Sequence, residues 1–206
     1  MFGTSIYLSK IFNKKYDADT LLSFNRRNFG LSGVREARWR SIIIINYTFI
    51  TMTAIISKSD LLTHWLGHRN LTRRTIEKFP EDKLFTFQVE GMRTYADIIK
   101  ELLSIAVPGL TDIVYNETTP FSHNLPHSTK AELLQAWDEA TPQIEILYNA
   151  IPEDRFQEDF NLFGEYKFPV IQNIQYFIDN EIHHRAQGYV YLRLLQIEPP
   201  FFWERY

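Results

Sequence analysis

The stretch Ile171-Gln172-Asn173-Ile174-Gln175-Tyr176-Phe177-Ile178-Asp179-Asn180-Glu181-Ile182-His183-His184-Arg185-Ala186-Gln187-Gly188-Tyr189-Val190-Tyr191-Leu192-Arg193-Leu194-Leu195 decides the fold. Apolar residues at Ile171, Ile174, Phe177, Ile178, Ile182, Val190, Leu194 and Leu195 recur at helical spacing after Pro169, and predict one long helix running to Gln196. Its middle is polar. With about 100° of rotation per residue, Asn180, His184 and Gln187 share one face, Glu181 sits at that face's edge and His183 points away. A helix this long with an apolar stripe needs partners to cover the stripe.

Working outward, three more segments supply them. Residues 59–78 carry Leu61, Leu62, Trp65, Leu66, Leu71, Thr75 and Ile76, joined by Phe79 just beyond, as an inward stripe, and Pro80 ends the run. Thr94 opens a second helix with Tyr95, Ile98, Ile99, Leu102, Leu103 and Ala106, which continues past Pro108 to Val114 with a kink expected at the proline. Thr129 and Glu132 have capping-box spacing and introduce a third helix bearing Leu133, Leu134, Trp137, Ile144, Leu147 and Tyr148. Residues 116–128, with Pro120 and Pro126, form a loop long enough to cross a bundle. Residues 152–168 form an acidic, aromatic connection with an extended pair expected at 159–162 and 166–168. The fold class is therefore all-α, a four-helix bundle with a long crossover connection.

Composition restricts the chemistry. The chain has no cysteine, which removes disulfides, thiolate metal ligands and cysteine nucleophiles, and leaves any metal to His, carboxylate or amide oxygen. Residues 1–51 hold eight Lys/Arg and three Asp/Glu, leaving 14 basic and 22 acidic residues in 52–206. An acidic body has no electrostatic footprint for nucleic acid. The apolar run Ile42 to Ile50 is too short to span a membrane, and it begins too far from Met1 for a secretory signal, so a cytoplasmic location is expected. The shift at Met52 from basic and irregular to acidic and periodic sets the domain plan: an extension over 1–51, with translation expected to begin at Met52, and the bundle over 52–206. The alternative is a helix near 19–24 and an edge segment at 42–49.

Asn180 and His184, one turn apart, are spaced like a pair of metal ligands, although an amide is a weak one. A single inward histidine is more often a hydrogen-bonded core residue than a ligand. Glu101, in Ile98-Ile99-Lys100-Glu101-Leu102-Leu103, lies either on the solvent face with Lys100 or toward a polar pocket. His64 and His68 also stack four apart, but the following Arg69, Arg73 and Arg74 suggest that this face reaches solvent.

The string from Asn180 to Arg193, with Gln196-Ile197-Glu198-Pro199-Pro200 after it, resembles the last core helix of the DinB family. So do His64-Trp65 with Leu71-Thr72-Arg73-Arg74, Phe79-Pro80-Glu81-Asp82-Lys83-Leu84-Phe85 and Gly91-Met92-Arg93-Thr94-Tyr95; the likeness spans residues 57–203. It implies a four-helix bundle, a homodimer, and one divalent metal (Zn, Ni or Fe) held by one His on the second helix and an HxxxH pair on the fourth. In this chain those positions are Glu101, Asn180 and His184, a harder and weaker set than three imidazoles. Glu181, His183 and Gln187 then become the acid/base or ligand-orienting candidates. Family members include metal-dependent transferases that use low-molecular-weight thiols, which makes a thiol S-transferase or a hydrolase acting on a small molecule the expected activity. The competing expectation is a non-catalytic, stress-associated binding or dimerisation module, with Glu101, Asn180 and His184 in a buried polar network instead of around a metal.

Overall fold

The chain divides into Met1–Thr53 and Ala54–Tyr206. The structure, a computed structural model, describes residues 55–206. The expectations for Met52, the 19–24 helix and the 42–49 segment lie outside the described residues. Helix α1 is Lys58–Lys78, a short α2 is Glu81–Thr86, α3 is Tyr95–Tyr115, α4 is Lys130–Ala150, and α5 is Val170–Leu194. Between α4 and α5 come a 3-10 turn at Glu153–Gln157 and an antiparallel hairpin of β1 (Asp159–Leu162) and β2 (Tyr166–Pro169), with Asp159 opposite Pro169 and Leu162 opposite Tyr166. Among the described residues no helix is long and apolar enough to cross a membrane.

The helix starts follow from side-chain chemistry. Ser57 caps α1: its hydroxyl accepts from the Asp60 amide while Asp60 accepts from the Ser57 amide. Thr129 and Glu132 do the same for α4, and Thr94 caps α3. Pro108 and Pro142 both sit inside helices that continue through them. Helix α2 escapes sequence reading because six residues cannot show a helical period.

Four helices pack as a square in which α1 and α3 each lie against α4 and α5. The crossovers are the two diagonal steps, α1 to α3 through α2, and α4 to α5 through the hairpin, whereas loop 116–129 joins neighbours. Asp112 organises that loop by accepting from the Thr119 amide and hydroxyl. One end of the core gathers Trp65, Leu110, Ile113, Tyr148, Leu162 and Phe177; the other gathers Phe79, Tyr95, Ile99, Leu102, Trp137 and Tyr191. Burial of these large side chains is the main favourable contribution to folding. At Gly188 the Tyr95 ring of α3 lies directly against the α5 backbone, and a Cβ there would collide with it.

Two expectations about burial change. Val190 and Leu194, read as part of the apolar stripe, are exposed, because the face of α5 turned inward near its C-terminus is that of Gly188, Tyr191 and Leu192. Arg69 and His68, read as solvent-facing, are buried.

Candidate functional site

Helices α3 and α5 are neighbours, so a carboxylate in the middle of one can meet an imidazole on the other. Glu101 Oε1 and His184 Nε2 lie 3.0 Å apart, and His184 Nδ1 lies 2.9 Å from Gln187 Oε1. Gln187 Nε2 in turn lies 3.2 Å from His183 Nε2 on the outer side of α5. The second Glu101 oxygen is ion-paired with Arg93, which the sequence reading did not single out. Arg93 sits just before the α3 cap, and Tyr191 on α5 donates to its carbonyl at 2.8 Å, pinning that backbone to the site. The result is a chain of groups, Arg93, Glu101, His184, Gln187 and His183, enclosed at its middle and open at both ends: side-chain exposure is 9% at His184, 18% at Glu101 and 46% at Arg93, and His183 is exposed. The hydrogen bond from His184, assisted by Arg93 and opposed by burial, holds the Glu101 carboxyl down at about 2.

The proton positions along this chain depend on the Gln187 amide. With its oxygen toward His184, the ring donates through both nitrogens, to Gln187 and to Glu101. With the amide turned over, its nitrogen donates to His184 Nδ1, its oxygen accepts from His183, and one proton fewer is needed. The same heavy-atom framework therefore accommodates two hydrogen-bond arrangements.

These residues do not fit a three-donor metal centre. Only Glu101 and His184 converge, and Glu101 already carries the positive charge of Arg93 on its other oxygen. Asn180, one turn before His184, has its amide nitrogen buried without a hydrogen-bond partner and makes no hydrogen bond to Glu101 or His184. Among the described residues no group of three His, Cys, Asp or Glu side chains is placed to hold a metal ion.

Glu181 turns to the opposite side of α5. It is buried against α1, where Thr72 donates to it at 2.7 Å, the Trp65 indole at 3.4 Å, and Arg69 approaches to 3.7 Å. Arg69 also stacks 3.4 Å above the Trp137 ring and donates to the Trp137 carbonyl. Burial pushes the Glu181 carboxyl up, against the pull of Arg69 and Thr72. Arg185, the neighbour of His184, faces this layer too and contacts His68 Nδ1 at 2.9 Å; His68 Nε2 lies 3.2 Å from His64 Nε2. Burial, with Arg185 next in weight, drives His68 down to about 3, so its ring is neutral. Of the three acid/base candidates, His183 and Gln187 belong to the chain at His184, and Glu181 belongs to this enclosed layer.

Tyr176, two turns before His184 on α5, lines a cleft of about 190 Å³ with Tyr166, Phe168, Gln172 and Asn173. Sequence spacing gave no sign of this cleft, because two of its five lining residues come from the hairpin.

Comparison with known proteins agrees with the architecture. The curated protein YjoA of Bacillus subtilis, described as uncharacterized, is 23% identical over 150 residues, which cover 71% of this chain and 97% of YjoA. The crystal structure of that DinB-like protein aligns with a TM-score of 0.56 at 22% identity, covering 69% of this chain and 96% of its own. A DinB-like protein from Bacillus cereus aligns with a TM-score of 0.59 at 14% identity, covering 70% and 97%. At these identities the likeness establishes the fold. A match to the DinB family itself spans residues 52–205, three quarters of the sequence and all four bundle helices, and the chain belongs to that family.

Proposed function

We propose that this chain is a metal-independent, small-molecule-binding member of its family, in which the Arg93–Glu101–His184–Gln187–His183 chain stands where a cation would otherwise be held. The observation that carries this reading is the double engagement of Glu101, with Arg93 on one oxygen and His184 on the other, which satisfies the carboxylate with the protein's own charges. Arg93 is the half-exposed end, so an acidic or anionic group on the small molecule would meet the guanidinium first. A cytoplasmic location and a homodimer complete this reading.

The metal-dependent reading, a thiol S-transferase or hydrolase with Zn, Ni or Fe on Glu101, Asn180 and His184, has one observation in its favour. A Gln187 oxygen bonded to Nδ1 would leave Nε2 facing Glu101 as an imidazole ligand faces its metal. Elemental analysis of the purified chain separates the two. The expected result is no stoichiometric metal in the wild type, and no change in Tm on adding a chelator. A bound equivalent that disappears in both Glu101→Ala and His184→Ala would establish the metal-dependent reading and overturn ours.

A further inference from the structure

The enclosed layer around Glu181 ends at His68, and beyond it lies a group of charges that the Arg93–Glu101–His184 chain does not use. His64 and His68 stand one turn apart on α1 with their Nε2 atoms 3.2 Å from each other. Residues 204–206 are laid along the same helix. Asn70 donates to the Arg205 carbonyl at 3.3 Å, and Arg74 donates to the Glu204 carbonyl at 2.9 Å and pairs with its carboxylate. The Tyr206 ring lies so near Gly67 that a Cβ there would be 2.8 Å from it. These contacts place the Arg205 guanidinium over the two imidazoles, with Nη1 3.3 Å from His68 Nε2. Arg185 approaches the same ring from the inside, 2.9 Å from Nδ1.

A guanidinium only donates, and a neutral imidazole accepts one hydrogen bond. Arg185 makes the shorter contact, so His68 accepts from it at Nδ1 and carries its own proton on Nε2, where His64 Nε2 can accept it. Arg205 is then left turning an N–H toward another N–H. Its Nε is buried with no partner, and its guanidinium carbon lies 5.6 Å from the centre of the Tyr206 ring. Among the described residues no carboxylate comes within ion-pair distance of it. Glu204 is paired with Arg74, and Glu181 is engaged by Arg69 and Thr72. The exposed Asp179 acts on His64 but does not prevail, since burial and then Arg205 hold that imidazole below its ordinary range. Having accepted at Nε2, His64 carries its proton on Nδ1, and both His64 and Arg205 are partly exposed.

From this geometry we infer that Arg205 and His64 form a binding site for a small oxyanion, a phosphate or carboxylate group that accepts from the guanidinium and from the His64 Nδ1–H. The anion supplies the acceptor that the double approach to His68 leaves Arg205 without, and it balances charge beside two guanidiniums. Arg185 is a positioning residue: by fixing the His68 tautomer it fixes which nitrogen His64 donates from. None of these residues belongs to the Arg93–Glu101–His184 chain, so the inference stands apart from the small-molecule reading.

Inorganic phosphate and sodium acetate test it, titrated separately into the full chain at neutral pH, with ionic strength held constant by sodium chloride. The readout is NMR of the histidine rings and arginine side chains. A saturable shift at His64, His68 and Arg205 is expected with at least one of the two salts. A tighter response to phosphate assigns the site to phosphate groups, and a tighter response to acetate assigns it to carboxylates. Arg205→Gln should weaken binding about tenfold, the loss expected for one charged hydrogen bond. Arg205→Lys, which keeps the charge without the fork, should fall between that variant and the wild type. Arg205 lies outside the helices, so both variants are expected to melt as the wild type does. Arg193→Gln removes an exposed charge of α5 outside this group and should change nothing. Arg93→Ala should also leave the response intact, so that the two sites fail independently. Shifts that rise without saturation for both salts, or a saturable response that Arg205→Gln leaves unchanged or Arg193→Gln weakens equally, would overturn the inference.

Discussion

Two charged clusters share the middle of α5, separated by no more than one residue along the chain, and they differ in almost every physical respect. Glu181 and Arg185 turn toward α1 into a closed layer of Arg69, Thr72, Trp65, Trp137 and His68, where nearly every polar atom has a protein partner. His184 serves a cluster that is open at Arg93 on one end and at His183 on the other, and Asn180, one turn before it, has a buried amide nitrogen with no partner. The closed layer looks after itself: its charges are desolvated and paired, and its contribution is to fix how α1 and α5 meet. The open cluster places a guanidinium and an imidazole at a surface, where a binding site needs polar groups a ligand can reach.

The sharpest way to break this comparison is to remove one charge from each cluster. Glu181→Ala leaves Arg69 buried without its carboxylate and should cost about 3–5 kcal/mol in a urea or guanidinium unfolding experiment. Glu101→Gln keeps hydrogen-bonding capacity beside a half-exposed arginine and should cost only about 1 kcal/mol. Equal costs would mean that the two clusters are the same kind of structure, and the distinction would fail.

Acid separates them next, because the two clusters lose stability in different pH windows. His68 is neutral when folded, with its pKa lowered to about 3 from 6.5; the unfolded chain therefore binds the extra proton first, and the stability this contributes is complete above pH 6.5 and declines as pH falls toward 3. The loss should be on the order of 1–2 kcal/mol by about pH 5, read as a shift in denaturant midpoint, and His68→Gln should flatten the profile there. Glu101, lowered from 4.5 to about 2, holds its contribution above 4.5 and loses it only as pH falls from there toward 2. A wild-type profile that is flat between about pH 6.5 and 5 would show that His68 is not enclosed.

The smallest effect is the most informative about the open cluster. Arg93→Ala removes a partly exposed ion pair and should change stability by less than about 1 kcal/mol. The same change should raise the Glu101 titration midpoint, measured by carbon-detected NMR of the carboxyl. A midpoint that does not move would remove Arg93 from the site.

The sequence made the bundle legible because its signals are local: apolar periodicity, the capping box at Thr129 and Glu132, and prolines at the ends of helices. It also brought Glu101 and His184 to the same question, through the resemblance of their positions to a metal site. It could not show that Asn180 and Glu181, or His184 and Arg185, part toward different neighbours, because that depends on which helices are diagonal in the square. The run Arg69, Arg73, Arg74 suggested solvent, and for Arg73 and Arg74, which pair with Asp138, Glu77 and Glu204 near the surface, it was a fair guide. For Arg69 it failed, since a guanidinium can be enclosed when a carboxylate and an indole face close around it. Arg93 carried no signal at all, because it acts from outside its helix across two turns.

Gly188 bears on all of this. The Tyr95 ring occupies the space where a side chain would begin, so it works as a key in a slot cut into α5. Sliding or rotating α5 by one residue would drive Gln187 or Tyr189 into that ring. The sorting of adjacent residues into a sealed side and an open side is thus enforced from one turn away, by a position whose contribution is to be vacant. Families that tolerate many changes at their working residues can still share one alignment of helices if such a notch is kept.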